Sequence, residues 1–219
     1  MADPFKICSE VGLVVHTNYK AESLKSFLNG LKKVSGSSIF YHVHHALLRR
    51  HFATSDHMND FARWVLEALG QSILSERLAS VDPMGTRSVR EARNQLVSFV
   101  SEYVGGGELF FRVAEGKEFH FLELHSLIVP LKTVEPDLES FYHALKKATL
   151  GTFFFHMIEA PIRLAKHSND FSEWLITDLG EDELAAEIAH LNPYMYNLWE
   201  LKAKVLQCVR KRLKEDWQQ

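Results

Sequence analysis

The sequence predicts a mainly α-helical protein with a minor β part, an α+β fold of two pseudo-symmetric halves with short strands opening each half and a β-hairpin at the centre. Three observations predict it. Residues 5–54 and 119–168 align without a gap at a fixed offset of 114. Apolar residues then recur at helical spacing through most of each half. Short alternating apolar runs stand at 5–8, 119–122 and 109–121, where strands and a hairpin are expected.

The repeat rests on identities that include Phe5 with Phe119, Leu13 with Leu127, Phe27 with Phe141, Leu31 with Leu145, His42 with His156 and Arg49 with Arg163. Thirteen of the fifty aligned positions are identical, against about one in seventeen for average composition. After a four-residue contraction the offset becomes 110, and Asn59, Asp60, Phe61, Trp64 and Gly70 meet Asn169, Asp170, Phe171, Trp174 and Gly180. Units of about a hundred residues are too long for a solenoid period, so the sequence reads as an internal duplication. It divides into a first unit at 1–104, a linker and hairpin at 105–118, and a second unit at 119–219, forming one compact body.

The elements follow in chain order. Phe5–Cys8 and Phe119–Leu122, with Val14-Val15 and Ile128-Val129 beyond them, predict the short strands. Leu24, Phe27, Leu28 and Leu31 mark one apolar helix face, repeated by Leu138, Phe141, Tyr142 and Leu145. The lysine pairs 32–33 and 146–147 close these helices, where positive charge complements the helix dipole. Ser38 and Thr152 are expected to cap a second helix. Asn59 and Asn169 open a third, which Gly70 and Gly180 end in the left-handed conformation. A fourth stops before Pro83 and Pro193. Ser88 and Asn197, each followed three residues later by glutamate, open a fifth with a capping box. Gly105–Gly107 is the expected linker, and the runs at 109–113 and 118–121 around a turn at 114–117 are the expected hairpin.

At 219 residues, 46% hydrophobic, the chain is long and apolar enough to bury substantial cores. A net charge of −3 gives no general attraction to nucleic acid or to an anionic membrane. The basic residues of the last helix read as a solvated face. Two cysteines at non-equivalent positions and the absence of a basic and apolar leader point to a reducing cytoplasm. No apolar run approaches the length that spans a bilayer.

The second helix carries the residues with chemistry. His42, His45 and Arg49 share one stripe, and the other half supplies His156, Glu159 and Arg163. A polar stripe where a core helix is normally apolar predicts a ligand site between the halves, built from His42, Arg49, His156, Glu159 and Arg163. Asp60 and Asp170 join it if the second and third helices pack antiparallel, orienting the histidines or neutralising the arginines. The arginines favour a small anionic ligand or a protein partner. In the alternative, His42, His45, His156 and Glu159 hold zinc or iron for a metal-dependent enzyme, a set that facing helices can assemble. Arg49 and Arg163 beside such an ion oppose it electrostatically. A third reading makes the chain a structural subunit of a larger assembly, in contact through the last helix and the hairpin edge. No nucleophile elbow, phosphate loop or dinucleotide fingerprint is present, and no catalytic residue or cofactor is expected.

Ser-Ile-Phe-Tyr-His at 38–42 and Thr-Phe-Phe-Phe-His at 152–156, each followed by Asn-Asp-Phe-x-x-Trp and Leu-Gly, resemble an uncharacterised bacterial family, domain of unknown function 5752, here in two tandem copies. The resemblance spans nearly the whole chain and brings no activity or ligand with it. Two positions break the symmetry: His45 is matched by Glu159, and Leu47 by Pro161, which is expected to kink or shorten its helix.

Overall fold

The computed structural model describes residues 2–45, 59–83, 85–86, 88–105, 112–163, 166 and 168–216. The chain is α+β, as its sequence predicts, with helices predominating and a two-stranded antiparallel sheet. Strand β1 (Phe5–Ala21) is followed by α1 (Leu24–Lys33), then α2 (Gly36–Phe40), which widens into a π-helical turn at Tyr41–His45. Next come α3 (Asp60–Leu69), α4 (Ser72–Ala79) and α5 (Val89–Gly105). Strand β2 (Phe119–Val134) opens the second series: α6 (Leu138–Lys147), then α7 (Leu150–Phe154), continuing through a π-helical turn at Phe155–Glu159 into Ala160–Arg163. Helix α8 (Asp170–Trp174) runs into a π-helical turn at Leu175–Leu179, and α9 (Asp182–Ala189) and α10 (Leu198–Asp216) complete the chain.

Local chemistry sets most boundaries where the sequence puts them. The Asn59 and Asn169 side chains accept from the Ala62 and Ser172 N–H groups, and Gly70 and Gly180 stop their helices at φ of 66° and 67°. The Ser88 hydroxyl accepts from Glu91 N–H, while Asn197 and Glu200 exchange bonds in a complete capping box.

The second helices begin earlier than expected. Ser35 caps α2 through Ser38 N–H, and Thr149 stands at the equivalent place before α7. Ser38 and Thr152 are helix-interior residues, fully buried. The π-helical widening occurs at 41–45 as well as at 155–159, so Pro161 is not its cause, and the helix continues through Pro161 to Arg163.

The strands differ most from expectation. They are long, 17 and 16 residues, and they pair with each other across the sequence. The turn at 114–117 is present, with Gly116 at φ 80° and Lys117 N–H bonded to the Ala114 carbonyl. Just before it, Arg112 bridges to Ser23, and Val113 N–H donates to the Glu22 carbonyl. This bridge stands at 112–113, the end of the expected hairpin's first strand; its residues 109–111 and the linker glycines 106–107 lie outside the described residues.

The chain separates into two compact units, one of 1–11 with 126–219 and the other of 12–125. The division falls inside the strands, not at 104 and 119, because each strand begins in one unit and ends in the other. Phe5 and Ile7 are buried in the unit holding α6–α10, and Phe119 and Phe121 in the unit holding α1–α5. In the 12–125 unit the core gathers Leu24, Phe27, Leu31, Phe61, Trp64 and Leu96 around the two β2 phenylalanines. The Phe27 ring lies 5.7 Å from Phe119 and 5.9 Å from Phe121. Gly30 makes room for Phe121, since a Cβ there would sit 2.4 Å from its ring. In the other unit Phe5 is ringed by Phe141, Phe171 and Trp174 at centroid distances of 5.7, 5.6 and 5.2 Å. Among the described residues no helix is long and apolar enough to cross a membrane.

Candidate functional site

Each unit contains a buried imidazole–carboxylate pair that ties a helix to a strand backbone. In the 12–125 unit, Leu122 N–H donates to His42 Nε2 at 2.9 Å, and His42 Nδ1 meets Asp60 Oδ2 at 3.0 Å. An amide can only donate, so Nε2 presents its lone pair and Nδ1 carries the proton aimed at Asp60. The second oxygen of Asp60 accepts from Arg63 Nη2 at 2.6 Å. In the other unit, Cys8 N–H donates to His156 Nε2 at 3.0 Å, and Nδ1 meets Asp170 Oδ2 at 2.9 Å. Lys166 bonds the remaining Asp170 oxygen at 3.2 Å and Glu173 at 2.6 Å. Burial acts to raise the Asp170 carboxyl, but hydrogen bonding from His156 and Lys166 outweighs it and holds the group below the usual aspartate value.

The tryptophans complete the attachment. Trp64 Nε1 donates to the Lys117 carbonyl and Trp174 Nε1 to the Asp3 carbonyl, both at 2.8 Å. Ser35 bonds Glu123, and Ser9 bonds Thr149. The Ser37 hydroxyl donates to the Leu124 carbonyl, and at Gly151 an added Cβ would lie 2.6 Å from the Glu10 carbonyl. Strand and helix backbones therefore approach closely at both places.

The sequence candidates sort into two sets, one per unit. His42 and Asp60 meet in one; His156 and Asp170 meet in the other, where Glu159 is also buried. Asp60 and Asp170 meet the Nδ1 atoms of the two histidines. His45 stacks on Tyr41 at 5.3 Å. Arg49 lies outside the described residues, and for Arg163 the structure describes the backbone alone. The metal alternative loses two of its four ligands, because both ring nitrogens of His42 and of His156 are already engaged. The sequence did not single out the strand amides of Cys8 and Leu122 or the cations Arg63 and Lys166. The amides leave no side-chain signature, and the cations stand at non-equivalent positions with the same task.

Two consequences are measurable. His42→Ala leaves the Leu122 amide and one Asp60 oxygen without their buried partner, and is expected to cost about 2–4 kcal/mol in denaturant unfolding. A loss under 0.5 kcal/mol would show that the clasp is dispensable. His44, fully buried and stacked on Phe40, has its pKa pushed down to about 4 by burial. An unfolded histidine takes its proton near 6.5, so between pH 6.5 and 4 the unfolded state binds more protons than the folded one. Stability contributed by neutral His44 is complete above 6.5 and falls by up to about 3 kcal/mol as pH drops to 4. The pH slope of Tm across that window is expected to flatten in His44→Leu.

An open cleft of about 450 Å³ lies beside the second clasp, lined by the aromatic rings of Phe5, Phe155 and Trp174, by His156, by the cations Lys6 and Lys166, and by the carboxylates Asp170, Glu173 and Asp178. Lys6 has no carboxylate partner among the described residues, whereas Lys166 is held between Asp170 and Glu173.

Comparison with known proteins adds a family and a fold. A structure described as that of OrfY from Thermoproteus tenax superposes with a TM-score of 0.78 at 25% identity, over 96% of this chain and 97% of that one. Comparison with curated proteins gives no match. A single match running through both halves, from residue 2 to residue 210, shows that the chain belongs to the Family of unknown function (DUF5752).

Proposed function

We propose that this protein is a non-catalytic binding protein of accessory or regulatory type, whose ligand is a small anion. The cleft beside His156 carries this reading. It sets the Lys6 ammonium, which has no carboxylate partner among the described residues, against the aromatic walls of Phe5, Phe155 and Trp174, while the Asp170 and Glu173 carboxylates in the same lining are committed to Lys166. His156 supports binding rather than catalysis, because Asp170 and the Cys8 amide hold both its nitrogens. Thermal stability measured against benzoate and inorganic phosphate tests it: an anion-dependent rise in Tm is expected, and Lys6→Ala should abolish it. If neither anion shifts Tm, or the shift survives Lys6→Ala, the cleft is not the site.

A protein partner is the second reading, favoured by apolar side chains left in solvent. Leu13, Leu127 and Trp199 are 65%, 66% and 70% exposed. Association seen on sizing, and lost in Trp199→Glu, would favour it over the anion.

We also read the chain as two copies of one unit. Supporting this are the residue identities at the two offsets and the hydrogen bonds made by equivalent residues: Cys8 and Leu122 to the histidines, Asp3 and Lys117 to the tryptophans.

A further inference from the structure

We propose that His16 on β1 and His120 on β2 form a two-imidazole site for a first-row divalent transition-metal ion. Both belong to the 12–125 unit, where the strands pair, and their rings stand edge to face with centroids 6.0 Å apart at an interplanar angle of 79°. Two imidazoles on one ion, each with nitrogen about 2.0 Å from the metal, place their ring centres roughly 5–6 Å apart. The pair is therefore close to the required span, and both side chains are exposed and able to adjust by rotamer.

What distinguishes this pair is that its nitrogens are uncommitted. His42 and His156 are locked between a carboxylate and an amide, His125 is paired with Glu123, and His190 meets the Ala186 carbonyl. His16 and His120 have neither a hydrogen bond nor an ion pair among the described residues; their ring contact is with each other. The strand pair holds two imidazoles at chelating distance without using them in the fold.

Imidazole suits copper, nickel and zinc, and affinity at a given site is greatest for Cu²⁺. Water would fill the remaining positions, since no group of three or more His, Cys, Asp or Glu is assembled for a metal among the described residues. One ligand comes from each strand, so a bound ion would join β1 to β2 and stabilise the unit by mass action.

The test is titration of the tag-free, dialysed chain with Cu²⁺, read by electron paramagnetic resonance. One equivalent bound with two nitrogen ligands is expected. His16→Ala and His120→Ala should each remove the two-nitrogen spectrum and weaken binding by at least the roughly 10–100-fold that loss of even an outer-shell partner costs. His143→Ala, at another exposed histidine, should change neither. Circular dichroism of all three variants is expected to match the parent, because these side chains are exposed. Equal Cu²⁺ uptake after either strand substitution, or a parent spectrum lacking two nitrogens, overturns the proposal. So does loss of the spectrum in His143→Ala.

Discussion

Phe5→Ala is expected to destabilise helices more than 130 residues away in sequence while leaving those nearest to it in the chain intact. The Phe5 ring is 6% exposed and packs against Phe141, His156, Phe171 and Trp174. Removing a buried phenylalanine ring costs about 3–5 kcal/mol, the lost transfer energy plus that of the cavity left behind. The loss falls on the unit of 1–11 with 126–219, to which Phe5 belongs. Hydrogen exchange should therefore show weakened protection in α6, α8 and α9, with α1, α3 and α4 unchanged. Phe119→Ala should give the reverse pattern, since that ring packs on Phe27, His42, Phe61 and Trp64. Protection lost in α1 and α3 on Phe5→Ala, or a cost below 1 kcal/mol, would contradict the assignment of the strand start to the second series of helices.

The contrast between what the sequence reveals and what it hides follows from how locally each feature is decided. Caps are local: the asparagine at 59 or 169 reaches an N–H three residues on, and glycine at 70 or 180 takes a φ that other residues resist, so both helix ends are legible. The sequence points to Ser38 where the structure caps with Ser35, because three serines within four residues offer the same chemistry and burial decides among them. Strand length was hidden for another reason. Buried residues stand only near the ends of β1 and β2, and the exposed middle shows no alternation for a pattern to reveal. Alternation at Phe5-x-Ile7 announces a buried face without naming what it is buried against. The exchange of strand starts is a choice between two helix sets that offer similar aromatic neighbours, and nothing local to Phe5 distinguishes Phe141 from Phe27.

At the site, the polar stripe was legible and its use was not. His42 and His156 appeared as ligands because imidazole on a core-facing helix needs a partner. Asp60 and Asp170 were recognisable as possible orienting groups, and each meets its histidine at Nδ1. The remaining partner of each histidine is a backbone amide on a distant strand, contributed by whichever residue stands there. Only the pairing of chain segments in space identifies it.

The same exchange makes each half of the sequence incomplete. A fragment of 1–105 carries α1–α5 but lacks Phe119 and Phe121, so Phe27 loses two ring neighbours and His42 its amide donor. Two missing core phenylalanines amount to about 6–10 kcal/mol, comparable with the roughly 5–15 kcal/mol by which a domain is stable. A fragment of 112–219 lacks Phe5, Ile7 and the Cys8 amide in the same way. Each fragment alone is therefore expected to give a broad, non-cooperative thermal transition. Mixed in equal amounts, they should associate and recover a cooperative one, because every missing strand start is present on the partner fragment. Fluorescence reads the recovery, since Trp64 and Trp174 each donate to a carbonyl that the other fragment supplies, Lys117 and Asp3. Chain entropy sets the one difference from the intact protein: association becomes bimolecular, so the midpoint should rise with fragment concentration. Cooperative unfolding of either fragment by itself would mean that the exchanged strand starts do not hold the units together.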